Sequence, residues 1–182
     1  AYDQAVSLNP NFFYPLLRSG VINERQSRIA KAKRRLNRSL ELLETAEAYN
    51  TLGAIAEREG NLQQAEELYT RAAQDSGAAG QTALTSLVSL RSKSNPAALV
   101  SMRWGVGADG KVLIEATNKT PRTLMGIDLQ IRLVDVQGIS RSYNRRLVGL
   151  SPGQVTLVST GLRPGSGQVQ LSIASIETVQ GG

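Results

Sequence analysis

The sequence contains no histidine and no cysteine among its 182 residues. Without histidine the chain lacks the commonest general base and the commonest metal ligand, and it cannot form a Ser-His or Cys-His nucleophile pair. Without cysteine it has no disulfide scaffold and no thiolate metal site. Catalysis would therefore depend on carboxylates, lysines or tyrosines, and no arrangement of these predicts an active site. We expect a non-enzymatic protein without a cofactor.

Aromatic residues make up only 4% of the chain, which disfavours the base-stacking platforms of proteins that bind single-stranded nucleic acid. The sequence also lacks a signal peptide and any apolar run of the roughly 18 residues that a membrane span requires. A hydrophobic content of 41% and a net charge of +6 are typical of a folded, basic protein. No initiator methionine precedes Ala1, which falls inside a predicted helix, so we expect a piece of a longer protein.

The spacing of the apolar residues changes once along the chain. It is helical over residues 1–90 and alternates with a period of two over residues 99–179. The change falls at Arg91–Pro96, a polar stretch whose Asn-Pro end disfavours a continuing helix. The sequence therefore predicts a two-domain α + β protein, with an all-α domain over residues 1–92 and an antiparallel β domain over residues 97–182.

The helical half repeats itself with an offset of 33 residues, so that residues 13–41 align with residues 46–74. A repeat of this length indicates a stack of helical hairpins, in which small residues let helices approach and large ones fill the space between layers. The aligned pairs are Gly20 and Gly53, Glu24 and Glu57, Arg25 and Arg58, Ile29 and Leu62, Ala32 and Ala65, Leu36 and Tyr69, and Arg38 and Arg71.

The segment Ala46–Gln74 resembles a tetratricopeptide repeat, a helix–turn–helix unit of about 34 residues. The residues that carry the resemblance are Tyr49, Leu52, Gly53, Gly60, Ala65, Tyr69 and Ala72. The resemblance implies two repeats, over residues 11–43 and 46–76, closed by a capping helix over residues 78–91. Residues 1–10 resemble the second helix of a preceding repeat, and the matching positions are Tyr2, Ala5 and Pro10.

By analogy with that family, the first helix of each repeat lines a groove for an extended or helical peptide. The polar residues that hold a C-terminal carboxylate in chaperone-binding members are absent, because Leu17 and Val21 stand at positions that would need them. The resemblance implies a protein or peptide partner, although several of these positions could equally be ordinary surface. The groove residues are Tyr14, Leu17, Val21, Glu24, Glu47, Asn50, Ala54 and Glu57.

The second half contains six or seven alternating segments between Gly and Pro turn signals, which predicts a small antiparallel sandwich. Two stretches, EATNKTPRTLMGIDLQIRLVDVQG (115–138) and LSPGQ (150–154), resemble the FxLYD-type domains. Those domains are immunoglobulin-like sandwiches of bacterial envelope proteins, so the resemblance implies an Ig-like β-sandwich over residues 97–182. We expect the single tryptophan, Trp104, to lie in the sandwich core.

A dense basic segment, with seven Lys and Arg residues, lies between Arg25 and Arg38. An apolar stripe at helical spacing runs through it, so the basic residues fall on the solvated side of a helix, with Glu41 and Glu44 as local partners. We prefer that interpretation to contact with anionic lipid or nucleic acid, and nucleic acid is disfavoured as a partner. The stripe is Ile29, Ala32, Leu36 and Leu40, and the basic patch is Arg28, Lys31, Arg34, Arg35 and Arg38.

We interpret the chain as a non-catalytic interaction or scaffold module of a bacterial cell-envelope protein, expected in the periplasm, with the cytoplasm as the alternative. Three other interpretations stay open. They are the substrate-handling C-terminal part of a zinc metallopeptidase whose HExxH motif lies elsewhere, a lipoprotein-like scaffold for pilus or secretion assembly, and a basic module that binds nucleic acid or anionic lipid. An upstream segment could attach the protein to a membrane, and the sequence leaves the oligomeric state undefined.

Overall fold

The computed structural model describes residues 1–164 and 167–178. Residues 165 and 166, in a predicted turn, and residues 179–182, at the end of the predicted β domain, lie outside the described part. The chain divides into two compact units, Ala1–Leu87 and Val88–Gly182. In the described residues, helices precede two antiparallel sheets, so the expectation of an α + β fold is confirmed. No helix in this part of the chain is long and apolar enough to cross a bilayer.

The first unit is built from helices whose boundaries repeat along the chain. Helices α2 and α4 are both 13 residues long and begin 33 residues apart, as do α3 and α5. The period read from the sequence is therefore also a period of helix boundaries. The helices are α1 Tyr2–Leu8, α2 Phe13–Arg25, α3 Ile29–Leu42, α4 Ala46–Arg58, α5 Leu62–Ala72 and α6 Ala78–Ser94, the last of which continues into the second unit.

The turn between the paired helices also repeats, down to its backbone hydrogen bonds. Ser27 in the first turn and Gly60 in the second both have a positive φ, of 58° and 82°. In each turn the following N–H donates to a carbonyl five positions back, at 2.8 Å from Arg28 and at 2.9 Å from Asn61. Glycine adopts this left-handed conformation without strain, whereas the Cβ of serine is crowded there. The second turn therefore has the better residue for the same geometry.

Each helical pair closes on one glycine. A Cβ built on Gly20 would lie 2.6 Å from Cγ of Leu36, and one built on Gly53 would lie 2.7 Å from Cδ1 of Tyr69. Carbon atoms do not approach so closely in close-packed interiors, so only glycine lets the first helix rest its backbone on the large side chain of the second. Leu36 and Tyr69 are both buried, which makes these contacts the centre of each pair.

The apolar stripe predicted within the basic segment is confirmed. Ala32 and Leu36 are buried, and Ile29 and Leu40 are partly buried against the same core. The remaining positions of α3 are exposed or half-buried, apart from Ser39, whose hydroxyl donates to the carbonyl of Phe13 at 3.1 Å. The stripe therefore fixes which side of α3 faces the other helices and leaves the basic side chains outside.

We expect Gly53→Ala to lower the free energy of unfolding of the first unit by about 1–3 kcal/mol, because the added methyl group overlaps the Tyr69 ring. At an open helical position the same change would raise it by about 1 kcal/mol. Denaturant unfolding followed by far-UV circular dichroism measures the difference. The control is Gly105→Ala, where nothing lies within 4 Å of the added Cβ. An equal or higher stability for Gly53→Ala would contradict the close contact.

The second unit contains two three-stranded antiparallel sheets, with strand orders β1-β2-β5 and β4-β3-β6. Alternate residues of the central strands β2 and β3 are buried, and both sheets contribute to one hydrophobic core. A short 3₁₀-helix, Pro96–Ala98, precedes the first strand. The strands are β1 Val100–Val106, β2 Val112–Asn118, β3 Leu124–Val134, β4 Ser140–Leu150, β5 Val155–Ser159 and β6 Gln168–Thr178.

The prediction that Trp104 lies in the sandwich core is wrong, because this side chain is 44% exposed. Trp104 is paired with the buried Ile114 of β2, so its position in the alternation does belong to the inner face. In the described residues, however, β1 is the edge strand of its sheet and has a neighbouring strand on one side only. The same holds for Val106 at the end of β1, which is also exposed. Alternation gives the face of a strand but not how well that face is covered.

Asn118, the last residue of β2, is a buried polar link between the two sheets, and only 1% of it is exposed. Its Nδ2 donates to the carbonyl of Arg122 at 2.7 Å and to that of Leu150 on β4, in the other sheet, at 2.9 Å. Its Oδ1 accepts from the backbone N–H and from the hydroxyl of Thr120, both at 2.8 Å. The amide is thus fully used, which is the condition for burying it without a penalty.

Replacement of Asn118 by alanine would leave several of these buried partners unpaired. We expect Asn118→Ala to lower the free energy of unfolding of the second unit by about 1–3 kcal/mol. The matched control is Asn144→Ala on β4, an exposed position where we expect a change within about 0.5 kcal/mol. Urea unfolding of both variants, with Trp104 fluorescence as the probe, makes the comparison. Equal effects of the two substitutions would argue against the role of the amide.

Candidate functional site

A groove of about 440 Å³ lies on the first unit, between α2, α4 and the first turns of α6. Five of the eight predicted groove residues line it, namely Val21, Glu24, Glu47, Asn50 and Ala54. Helix α6 adds Ala78, Ala79 and Thr82, which the sequence interpretation assigned only to a capping helix. The first helix of each pair therefore does supply one wall, and the small residues of α6 supply the other.

The other three predicted groove residues lie outside this lining. Leu17 is 4% exposed and belongs to the core shared by α2, α3 and α4. Tyr14 is exposed and stands edge-on to the ring of Tyr2, with ring centroids 6.4 Å apart. Glu57 accepts a hydrogen bond from the hydroxyl of Tyr69 at 2.8 Å. Their predicted role in binding stays a prediction.

Both carboxylates of the groove are paired with arginines of the neighbouring helix. Glu24 of α2 forms an ion pair with Arg58 of α4, and Glu47 of α4 pairs with Arg18 of α2 at 2.7 Å. The two pairs run in opposite directions between the same two helices, so they hold α2 and α4 side by side. In the described residues Arg25, also in the groove lining, has no such partner.

The floor of the groove is made of short side chains whose polar atoms are already used. The hydroxyl of Thr51 donates to the carbonyl of Glu47 at 2.7 Å, and that of Thr82 donates to the carbonyl of Ala78 at 2.9 Å. By contrast, Oδ1 of Asn50 is buried and accepts no hydrogen bond from any described residue. The groove thus offers small apolar surface, one unused acceptor and one unpaired cation.

This arrangement is suited to contact rather than to proton transfer. Burial raises the pKa of Tyr69, and its hydrogen bond to Glu57 raises it further, so the phenol stays protonated as a donor near neutral pH. Within residues 1–164 and 167–178, no group of three His, Cys, Asp or Glu side chains is placed to hold a metal ion. No protein-family model matches the chain, and no curated protein is found to be similar to it.

A second, smaller concavity of about 310 Å³ lies on α3, and we call it the cationic cavity. It is lined by Lys31, Arg34, Arg35 and Arg38, with Leu16 of α2 behind them. Four of the five residues of the predicted basic patch therefore share one site, and Arg28 is not part of its lining. The spacing i, i+3, i+4, i+7 explains the grouping, because such positions fall on one face of a helix.

Most of these cations have carboxylate partners, one of them distant in sequence. Nζ of Lys31 lies 2.6 Å from Oδ2 of Asp3, and Arg35 lies 3.7 Å from Oδ1 of the same carboxylate. Arg38 pairs with Glu41 at 2.7 Å, as the local charge pattern predicts. In the described part of the chain, Arg34 makes no hydrogen bond or ion pair. The solvated-face interpretation thus describes three of the four cations.

The contacts of Asp3 give a pH dependence with a definite sign. Its pKa is lowered from the ordinary 3.8, first by the hydrogen bond from Lys31 and next by the hydrogen bond from Ser19. Because the folded-state value is the lower one, its stabilising contribution is present above the unfolded-state pKa and is lost as the pH falls through the folded-state pKa. We expect Asp3→Asn to destabilise the packing of α1 near neutral pH but to have little effect well below pH 3.8.

Denaturant unfolding of the wild type and Asp3→Asn at both pH values measures this difference. The control is the exposed Glu67→Gln on α5, for which we expect a small effect at both. A destabilisation by Asp3→Asn that is the same at both pH values would show that the charge of Asp3 is not the cause.

Proposed function

We propose that the first unit is a tetratricopeptide-like repeat array that binds a peptide or helical segment of a partner protein in the groove between α2, α4 and α6. The observation that carries this proposal is the groove itself, to which equivalent helices of two repeats contribute. The common period of the helix boundaries, the turns and the glycine contacts supports the assignment to a repeat class.

The lining of the groove favours a polypeptide ligand. Ala54, Ala78 and Ala79 have no long side chain, so a bound backbone or the small face of a helix could approach α4 and α6 closely. Each of α2 and α4 is about 20 Å long, which matches a peptide of several residues rather than a small metabolite. Asn50 Oδ1 would accept an N–H from such a ligand, and Arg25 would favour an acidic side chain nearby.

We further propose that the second unit is an Ig-like sandwich that serves as a spacer or second contact in a bacterial cell-envelope protein. Two antiparallel sheets around one core support that assignment, and so does the buried Asn118 within the stretch that carries the FxLYD resemblance. Substrate handling for a metallopeptidase would use the same peptide groove. The groove is therefore the feature that distinguishes these interpretations from a nucleic-acid-binding role.

A selection of short peptides from a random library on the intact chain tests the groove. We expect peptides that bind the wild type to lose at least tenfold in affinity for Ala54→Arg, because the long side chain fills the groove. Fluorescence anisotropy of a labelled selected peptide measures the affinity. The choice of peptides does not depend on knowing the natural partner.

The matched control is Thr70→Arg, which adds the same side chain at an exposed position of α5 outside the lining of the groove. It should leave the affinity within about twofold of the wild type, since most surface changes away from a site are energetically small. If the library yields no binders, or if both variants weaken binding equally, the groove is not the peptide site.

A further inference from the structure

The cationic cavity on α3 concentrates more positive charge than the surrounding residues balance. Lys31, Arg34, Arg35 and Arg38 face two carboxylates, Asp3 and Glu41. Like charges at i, i+4 on a helix repel each other, and this face holds two such pairs, 31 with 35 and 34 with 38. An anion in the cavity would relieve that repulsion.

The size and shape of the cavity restrict the anion that fits. A volume of about 310 Å³ is at the lower end of the range for small-molecule sites, and the four cations span about 10 Å along the helix axis. Three of the four are arginines, whose planar guanidinium groups bind phosphate oxygens in pairs. Two adjacent phosphoryl groups match this length and the surplus charge better than one carboxylate does.

The carboxylate of Asp3 shows how an anion is held at one end of this set. Its Oδ2 lies 2.6 Å from Nζ of Lys31, and its Oδ1 accepts from the hydroxyl of Ser19 at 2.8 Å and lies 3.7 Å from Arg35. Asp3 is thus a built-in counter-ion for two of the four cations. Arg34, which makes no ion pair in the described residues, is left facing the cavity.

We propose that the cationic cavity binds a small anion with two adjacent phosphate groups, that Arg34 is its main contact, and that Asp3 competes with it for Lys31 and Arg35. The chemistry is that of a free diphosphate or of a phosphate-bearing lipid headgroup. This site is separate from the peptide groove and does not depend on the function proposed for that groove.

Isothermal titration of the intact chain with inorganic pyrophosphate at low salt tests the proposal. We expect Arg34→Gln to weaken binding about tenfold, the effect of losing one charge-assisted hydrogen bond. The matched control is Arg28→Gln, which removes the same charge from the residue preceding α3 and outside the cavity lining. It should change the affinity by no more than about twofold, because exposed charges at a distance are largely screened.

A second variant has the opposite expected sign. Asp3→Asn removes the competing carboxylate, so it should tighten pyrophosphate binding at least threefold, whereas a general loss of structure would weaken it. Circular dichroism confirms that α1 and the other helices remain. Unchanged or weaker binding by Asp3→Asn, or equal losses for Arg34→Gln and Arg28→Gln, would overturn the proposal.

Vesicles distinguish the two sources of the phosphate group. Sedimentation with phosphatidic acid vesicles that is reversed by pyrophosphate and reduced by Arg34→Gln would support a lipid headgroup as the ligand. Pyrophosphate binding with no sedimentation would support a free phosphate compound. Retention of duplex DNA without any pyrophosphate binding would refute the cavity as a small-anion site and indicate a nucleic-acid surface instead.

Discussion

The close approach of two helices at a glycine determines how the first unit is built. At Gly53 the backbone of α4 rests on the ring of Tyr69, and at Gly20 the backbone of α2 rests on Leu36. The large side chain then lies between the helices rather than beyond them, which brings the Tyr69 hydroxyl within 2.8 Å of Glu57. Close packing of the paired helices fixes the direction of every other residue on them, including those that form the groove.

Repetition of this unit gives charge pairs that neither repeat could form alone. Glu24 occupies the position in the first repeat that Glu57 occupies in the second, but it pairs with Arg58 of the next first helix. Arg18 and Glu47 form the reciprocal pair. Exposed pairs of this kind contribute little stability by themselves, so their effect here is to set the register of α2 against α4. The groove wall depends on that register.

The features that repeat were predictable from the sequence, and those that depend on a single distant contact were not. The period of 33 residues placed the helices, the turns and the glycine contacts, because each left a mark in two aligned segments. The contribution of Ala78 and Ala79 to the groove has no aligned counterpart. Asp3 lies 28 residues from Lys31, so no local pattern indicated that pair. Exposure of Trp104 depends on edge position, which alternation does not encode.

Helix α2 takes part in both concave surfaces of the first unit. Val21 and Glu24 line the groove, whereas Leu16 lies behind the cationic cavity. Five residues separate Leu16 from Val21, which places them about 140° apart around the helix, so one ligand would not overlap the other. Both residues are nearly fully buried, and α2 is packed between α3 and α4. Any energetic coupling between the two surfaces would have to pass through this packed helix, since no side chain that lines one surface also lines the other.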